Sequence, residues 1–354
     1  MDINYINTIK LCRLNTKKYL YIIMQLILLS GGSGKRLWPL SNNIRSKQFL
    51  SLFKRNDGKM ESMLQRVVRQ VMEEHLTDNI TIATNDSQSE IITTQLGNNI
   101  SIVTEPERRD TFPAIALATS YLVLKKQCPE DEVVVVMPCD SLVDENYFKK
   151  IKRMVQLVQQ DVAELILMGI KPTYPSSKFG YILPLEIGTT DSDCLFVKKF
   201  VEKPSVDIAQ KLLLENALWN GGVFAFRLNF LMNIIQKYVQ LNSFEDVRTH
   251  YYSFPKISFD YEVAEKVTSA VVTFDGKWKD IGTWNALTEE LEDPVIGKVI
   301  LGKHCKNVNV ISELQSPIFI DGLEDVVVSA NKDGVFICSK KYSEDIKQYI
   351  ETIH

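Results

Sequence analysis

Apolar positions along the chain follow two alternating periods. Leu26 to Leu29 is a short apolar run that predicts a buried strand, and a long polar stretch follows it. Met63, Leu64, Val67, Val68, Val71 and Met72 then recur at helical spacing within a predicted helix over Glu61 to His75. The same alternation predicts strands over Ile80 to Thr84, Ile100 to Thr104, Val133 to Met137 and Glu164 to Ile170. Between them fall helices over Gln88 to Leu96, Thr111 to Lys126 and Tyr147 to Gln159. Pro113 is the third residue of its helix, where a missing N–H breaks no intrahelical bond. Four consecutive valines, Val133 to Val136, leave a strand apolar on both faces. Strands of that kind alternating with helices imply an α/β fold with a mostly parallel sheet covered on both sides. Ligands of such sheets sit beyond the carboxyl ends of the strands.

The rhythm breaks at about Lys171. Tyr174 to Tyr181 reads as a loop, Phe196 to Glu202 and Gly222 to Phe226 as strands, and Val206 to Glu215 as a helix. Helices over Asn229 to Tyr238 and Ser258 to Val267 precede a strand over Ala270 to Phe274. This half is expected to form a second lobe packed on the first and able to hold a second substrate. Past Glu292 to Gly297 come short apolar runs (Val299 to Leu301, Val308 to Ile311, Ile318 to Ile320, Val326 to Val328, Val335 to Cys338) and a helix from Ser343. The expected division is an extension over residues 1–23, a main domain over 24–293 and a β-helix-like module with a terminal helix over 294–354. Such a module is expected to cap the fold or to make an oligomer contact.

The charge balance narrows the ligand. A net charge of -3 gives no positive surplus for nucleic acid or an acidic membrane, so neither is an expected partner. Six cysteines without a Cys-x-x-Cys pair suggest free thiols in a reducing cytoplasm. Lys10, Arg13, Lys17 and Lys18 ahead of an apolar run imitate a signal peptide, yet cleavage there would remove the first strand. Residues 1–23 are expected to be a leader or tail, with Met24 an alternative start.

The chemistry is announced just after that strand. Leu29 leads into Gly31, Gly32, Ser33 and Gly34, then Lys35 and Arg36. Glycines let backbone N–H groups approach an anion, and the cations add charge. Two familiar phosphate loops are excluded by spacing: Leu29 stands where a P-loop needs glycine, and Leu37 where a dinucleotide fingerprint needs one. What remains is a nucleotide cradle with Arg36 and Lys47 as charged arms, or a glycine turn that only links strand to loop.

The string Gly31 to Ser41 with Lys47-Gln48-Phe49 resembles the signature of the sugar-1-phosphate nucleotidyltransferases, and most of all the mannose-1-phosphate guanylyltransferases. Further segments appear in that family's order: Glu105-Pro106 with Arg109 to Ile115, Pro138 to Asp140, Phe179 to Ile182, Phe200 to Pro204, Trp219 to Phe224, Ser258 to Tyr261 and Trp278 to Trp284. The resemblance implies a Rossmann-like mixed sheet with a small C-terminal β module, and a homodimer. It implies attack of a sugar 1-phosphate on the α-phosphorus of GTP, releasing pyrophosphate, with Mg2+ held by Asp140 and Asp280. By the same resemblance, Leu29, Gly31, Gly32, Ser33, Gly34, Lys35, Arg109, Asp110 and Thr111 bind the nucleotide, and Arg36 and Lys47 meet its phosphates. Lys203 would meet the sugar phosphate, while Gly180, Tyr181, Glu202 and Asn220 address the sugar. The chain departs from the pattern at Ser46, where the family has Pro, at Cys139 and Ser141, and at Asp110 and Phe112. An Asp at 110 can accept from both donors of a guanine edge, which uracil or thymine cannot match. The rival expectation is a catalytically silent, nucleotide-sugar-sensing subunit on the same fold. Trp38, Trp219, Trp278 and Trp284 are expected in the core or in pocket walls.

Overall fold

The computed structural model describes residues 24–32, 34–185 and 193–350. The expected extension over residues 1–23 and the predicted nucleotide contact at Ser33 lie outside these, as does the Lys35 side chain. Nine strands form one sheet: β1 (Gln25–Leu29), β2 (Ile80–Asn85), β3 (Ser101–Glu105), β4 (Val133–Pro138), β5 (Leu165–Ile170), β6 (Tyr181–Pro184), β7 (Cys194–Val201), β8 (Leu218–Arg227) and β9 (Ser269–Phe274). Their order is β3-β2-β1-β4-β8-β5-β9-β7-β6. Only β7 and β8 run against the others.

The residue period of two sorts the sheet's side chains to its faces. Leu26, Leu28, Val133 and Val135 join a core with Leu64, Val67, Phe148 and Ile151 from the helices Met63–Glu73 and Glu145–Gln159. Ile27, Val134 and Val136 join the opposite core with Ile115, Leu117, Leu231 and Ile235. Each such buried side chain contributes about 2 kcal/mol of hydrophobic stabilisation, before ordering costs.

Four expectations change here. The second half is no separate lobe, because β6, β7, β8 and β9 continue the same sheet. The strand expected from Gly222 begins at Leu218, since Leu218 and Trp219 pair with Ile182 and Tyr181. Its register slips between Asn220 and Phe224, so the glycine pair that looked like a strand boundary is a bulge. The helix expected over Ser258 to Val267 is one π-helical turn, Asp260–Ala264, and the helix from Thr111 becomes π-helical at Tyr121–Lys125.

The C-terminal strands stack mainly in parallel: Val295–Ile296 on Asn309–Ser312 on Val326–Asn331, and Val299–Leu301 on Ile318–Ile320. Gly334–Ser339 closes the larger stack antiparallel. This module shares a core with the glycine-turn loop, where Leu37, Leu40 and Leu50 meet Trp284, Ile311, Val327, Ile346 and Ile350. The Asn331 amide donates to the buried Pro39 carbonyl at 2.7 Å. Among the described residues no helix is long and apolar enough to cross a membrane.

Candidate functional site

The glycine turn leaves β1 at the carboxyl edge of the sheet, with Gly31 and Gly32 exposed. Gly34 has φ +65°, and a Cβ there would lie 2.2 Å from the Asn42 carbonyl oxygen, so only glycine fits. A polar clasp holds the turn. Gln48 Nε2 donates to the Ser30 carbonyl at 2.9 Å, Ser46 Oγ to the Gly32 carbonyl at 2.7 Å, and Gln88 Nε2 to Ser46 Oγ at 2.6 Å. All three side chains belong to buried residues, and Ser46 uses its hydroxyl where a proline would have none.

Between Ser46 and Gln48, Lys47 is turned into the cleft. Its ammonium lies 2.7 Å from Asp280 Oδ1 and 2.9 Å from Asp140 Oδ2. Sequence separation is overcome by a two-stranded ribbon in which Ser141–Val143 pairs with Trp278–Asp280, setting Ser141 opposite Asp280. Asp140 is thus delivered by the end of β4 and Asp280 by the ribbon's other strand. Burial opposes the Lys47 charge, but the Asp140 and Asp280 carboxylates outweigh it and hold its pKa above the ordinary lysine range. Burial, with Asp140 beside it, pushes the Cys139 thiol up to about 12, so it stays protonated.

These groups line a cleft of about 340 Å³ with Arg36, Asn220, Phe179 and Trp278. Arg36 Nη1 would lie 3.3 Å from a Cβ at Gly282, which places the guanidinium beside the Asp280 loop. Of the tryptophans, Trp278 walls the cleft while Trp219 and Trp284 are buried, as expected. Among the described residues no three His, Cys, Asp or Glu side chains converge as a metal cage. The acidic pair fits a hard cation all the same, because two carboxylate oxygens already meet at one cationic nitrogen.

A second cluster sits around the β8 bulge. Asn220 donates to Asp260 Oδ1 at 2.6 Å and accepts from the Gly222 N–H at 3.1 Å, which fixes its amide. Burial and the neighbouring Glu202 carboxylate raise Asp260 to about 6. Glu202 has only 5% of its side chain exposed, accepts from Lys203 Nζ at 2.6 Å and lies against the Gly180 backbone. Lys203, at φ +42°, keeps 61% of its side chain exposed.

Other expected contacts go elsewhere. Tyr181 is fully buried in β6, and its hydroxyl is used by the Ser176 backbone at 2.8 and 3.0 Å, so its side chain reads no sugar. Arg109 is engaged by the Phe254 carbonyl and Glu107, with the Tyr252 ring 5.8 Å from its guanidinium carbon. Thr111 Oγ1 accepts from the Phe259 N–H at 2.9 Å and so props the Asp260 turn. Asp110, at φ +73°, accepts from the Thr111 N–H at 2.7 Å through Oδ1 at the head of its helix.

Two acids the sequence reading left without a role are Glu105 and Asp260, although both lie in motifs it singled out. Glu105 ends β3 beneath the glycine turn, where its Oε1 would lie 3.6 Å from a Cβ at Gly31. Tyr251 donates to it at 2.6 Å, but burial dominates and pushes its carboxyl up to about 7.

Residues 25–294 match the nucleotidyl transferase family model. A mannose-1-phosphate guanylyltransferase of Escherichia coli is 30% identical over 357 residues, covering 92% of this chain and 73% of the relative. An alginate biosynthesis protein, AlgA, of Pseudomonas putida is 30% identical over 358 residues, covering 92% and 71%. Among solved structures, one described as a mannose-1-phosphate geranyltransferase of Thermus thermophilus superposes with a TM-score of 0.75 at 25% identity, covering 94% of this chain and 99% of that one.

Proposed function

The chain belongs to the nucleotidyl transferase family, and we propose that it transfers GMP from GTP to mannose 1-phosphate, giving GDP-mannose and pyrophosphate. The observation that carries this reading is the convergence of Lys47, Asp140 and Asp280 at the mouth of the glycine turn. Joining two phosphorylated anions requires cations that offset their repulsion while holding the reacting atoms in line. The backbone at Gly31, Gly32 and Gly34 cradles the triphosphate, and Arg36 and Lys47 approach its oxygens from one side. Asp140 and Asp280 would hold Mg2+, whose charge offsets that of the phosphates; two carboxylates with phosphate and water suit that ion. In the cluster at the β8 bulge, exposed Lys203 would receive the sugar phosphate, while Asn220 and Glu202 present fixed polar groups to sugar hydroxyls. The attacking oxygen is already ionised, so no protein base is needed. Asp110 spends Oδ1 on its helix and turns Oδ2 to a guanine edge.

A homodimer in the cytoplasm completes the proposal, in keeping with free cysteines among the described residues. The test is pyrophosphate release with each of GTP, ATP, CTP and UTP against several hexose 1-phosphates. GTP with mannose 1-phosphate is expected to be fastest, and faster turnover of CTP or UTP with any sugar would overturn the base assignment.

A further inference from the structure

Away from the glycine turn, a second cleft of about 650 Å³ opens between the helix Trp284–Thr288 and the C-terminal module. Its volume suits a small organic ligand. The groups facing it are mostly donors. Lys340 and Lys341 stand on one wall, and Lys340 Nζ is steered by Asn307 Oδ1 at 2.6 Å. Asn307 is itself held by Asp325 at 2.6 Å, so the lysine's immediate partner is a neutral amide and not a carboxylate. Partial burial lowers the Lys340 pKa, with Asp325 and Glu289 opposing that from farther off. On the facing wall Asn285 gives its oxygen to Ser343 at 3.1 Å, which leaves the NH2 end as a donor toward the cleft.

Asn309 is the sharper observation. Only 6% of the residue is exposed, yet it lines the cleft, and its amide opens on that space and is not sealed in the core. An amide so placed can exchange its solvation for a ligand hydroxyl that enters the cleft. Val308 and Val310, on either side of it in the chain, turn to the other face of the strand and into an apolar core.

We propose that this cleft is a second, non-catalytic binding site for a small phosphorylated, hydroxyl-bearing molecule. Lys340 and Lys341 take the phosphate, and the Asn285 and Asn309 amides take hydroxyls. Glu289 is the acid that lines the cleft, and Lys279 pairs with it at 2.5 Å; Asp325 stands behind Asn307, its carboxylate engaged by that amide, so an anion entering beside Lys340 meets no unpaired carboxylate on the wall.

Titration calorimetry on the full chain tests this, with inorganic phosphate, a hexose 6-phosphate and GDP as separate probes. Three variants sort the sites: Lys340→Gln and Asn309→Ala in this cleft, and Lys203→Ala beside the glycine turn. The hexose 6-phosphate is expected to bind saturably, about tenfold or more weaker in Lys340→Gln and in Asn309→Ala, and unchanged in Lys203→Ala. Binding of inorganic phosphate alone would remove the hydroxyl-reading part of the proposal. Unchanged affinity in Lys340→Gln, or no saturable binding by any probe at millimolar concentration, would overturn it entirely. Lys340 is half-exposed, so its variant decides the matter even if Asn309→Ala fails to fold.

Discussion

Lys47, Asp140 and Asp280 act as one charged unit, and replacing a member alters charge where the chemistry is proposed to occur. Asp140→Asn or Asp280→Asn is expected to lower turnover by about a hundredfold or more with little change in melting temperature. Near-normal steady-state rates in both would contradict the cation site. Glu105 gives a pH signature. Its carboxyl titrates at about 7 in the folded protein against an ordinary value of 4.5, because burial disfavours the charge. The folded state therefore holds this proton when the unfolded state has lost it. Its contribution to stability is complete below about 4.5 and is lost as pH rises through about 7. Urea unfolding of Glu105→Gln is expected to lose less stability across that interval than the parent chain, and parallel curves would refute the assignment. Sequence alone marked the cations and the glycine turn, because both are local signals. It could not pair two aspartates so far apart without the resemblance, nor foresee that Tyr181 and Arg109 are engaged by their own backbone surroundings.

At the scale of elements, the alternation of apolar strands and helices was legible through β5, since β1, β2, β4 and β5 are buried on both faces and bounded by polar turns. It failed where one strand carries two roles. In β8 the pair Gly221-Gly222 has the composition of a turn, yet neighbours on both sides keep the strand paired, and the bulge aims Asn220 at the cleft. Gly222 sits at φ +67°, with nothing nearer than 3.9 Å to a Cβ, so backbone strain rather than crowding opposes substitution. Gly222→Ala is expected to cost about 1–2 kcal/mol in chemical denaturation. It should also raise KM for the sugar phosphate more than it lowers kcat, and a normal KM would argue that the bulge does not place Asn220. The second lobe was misread for a related reason: strand order is a long-range property, and reversed strands leave no mark on periodicity.

Over the whole molecule, the C-terminal module is fused to the site by a shared core and by the bond from Asn331 to Pro39. Asn331→Ala strands a buried carbonyl and is expected to destabilise the chain by about 1–3 kcal/mol. Limited proteolysis should then cut first in the Arg36 to Lys47 loop, with turnover reduced although no substrate-facing residue has changed. Unaltered cleavage would mean that the module rides on the main domain without bracing it. The lysine bridging the two aspartates has a consequence at this scale as well. Acid pairs gathered in a cleft ordinarily repel one another and need a bound ion before the chain can close around them. Here the chain carries its own counter-ion to that spot on the loop after the first strand. The fold can thus be completed in the absence of any metal, and a chelator is expected to silence the protein without unfolding it.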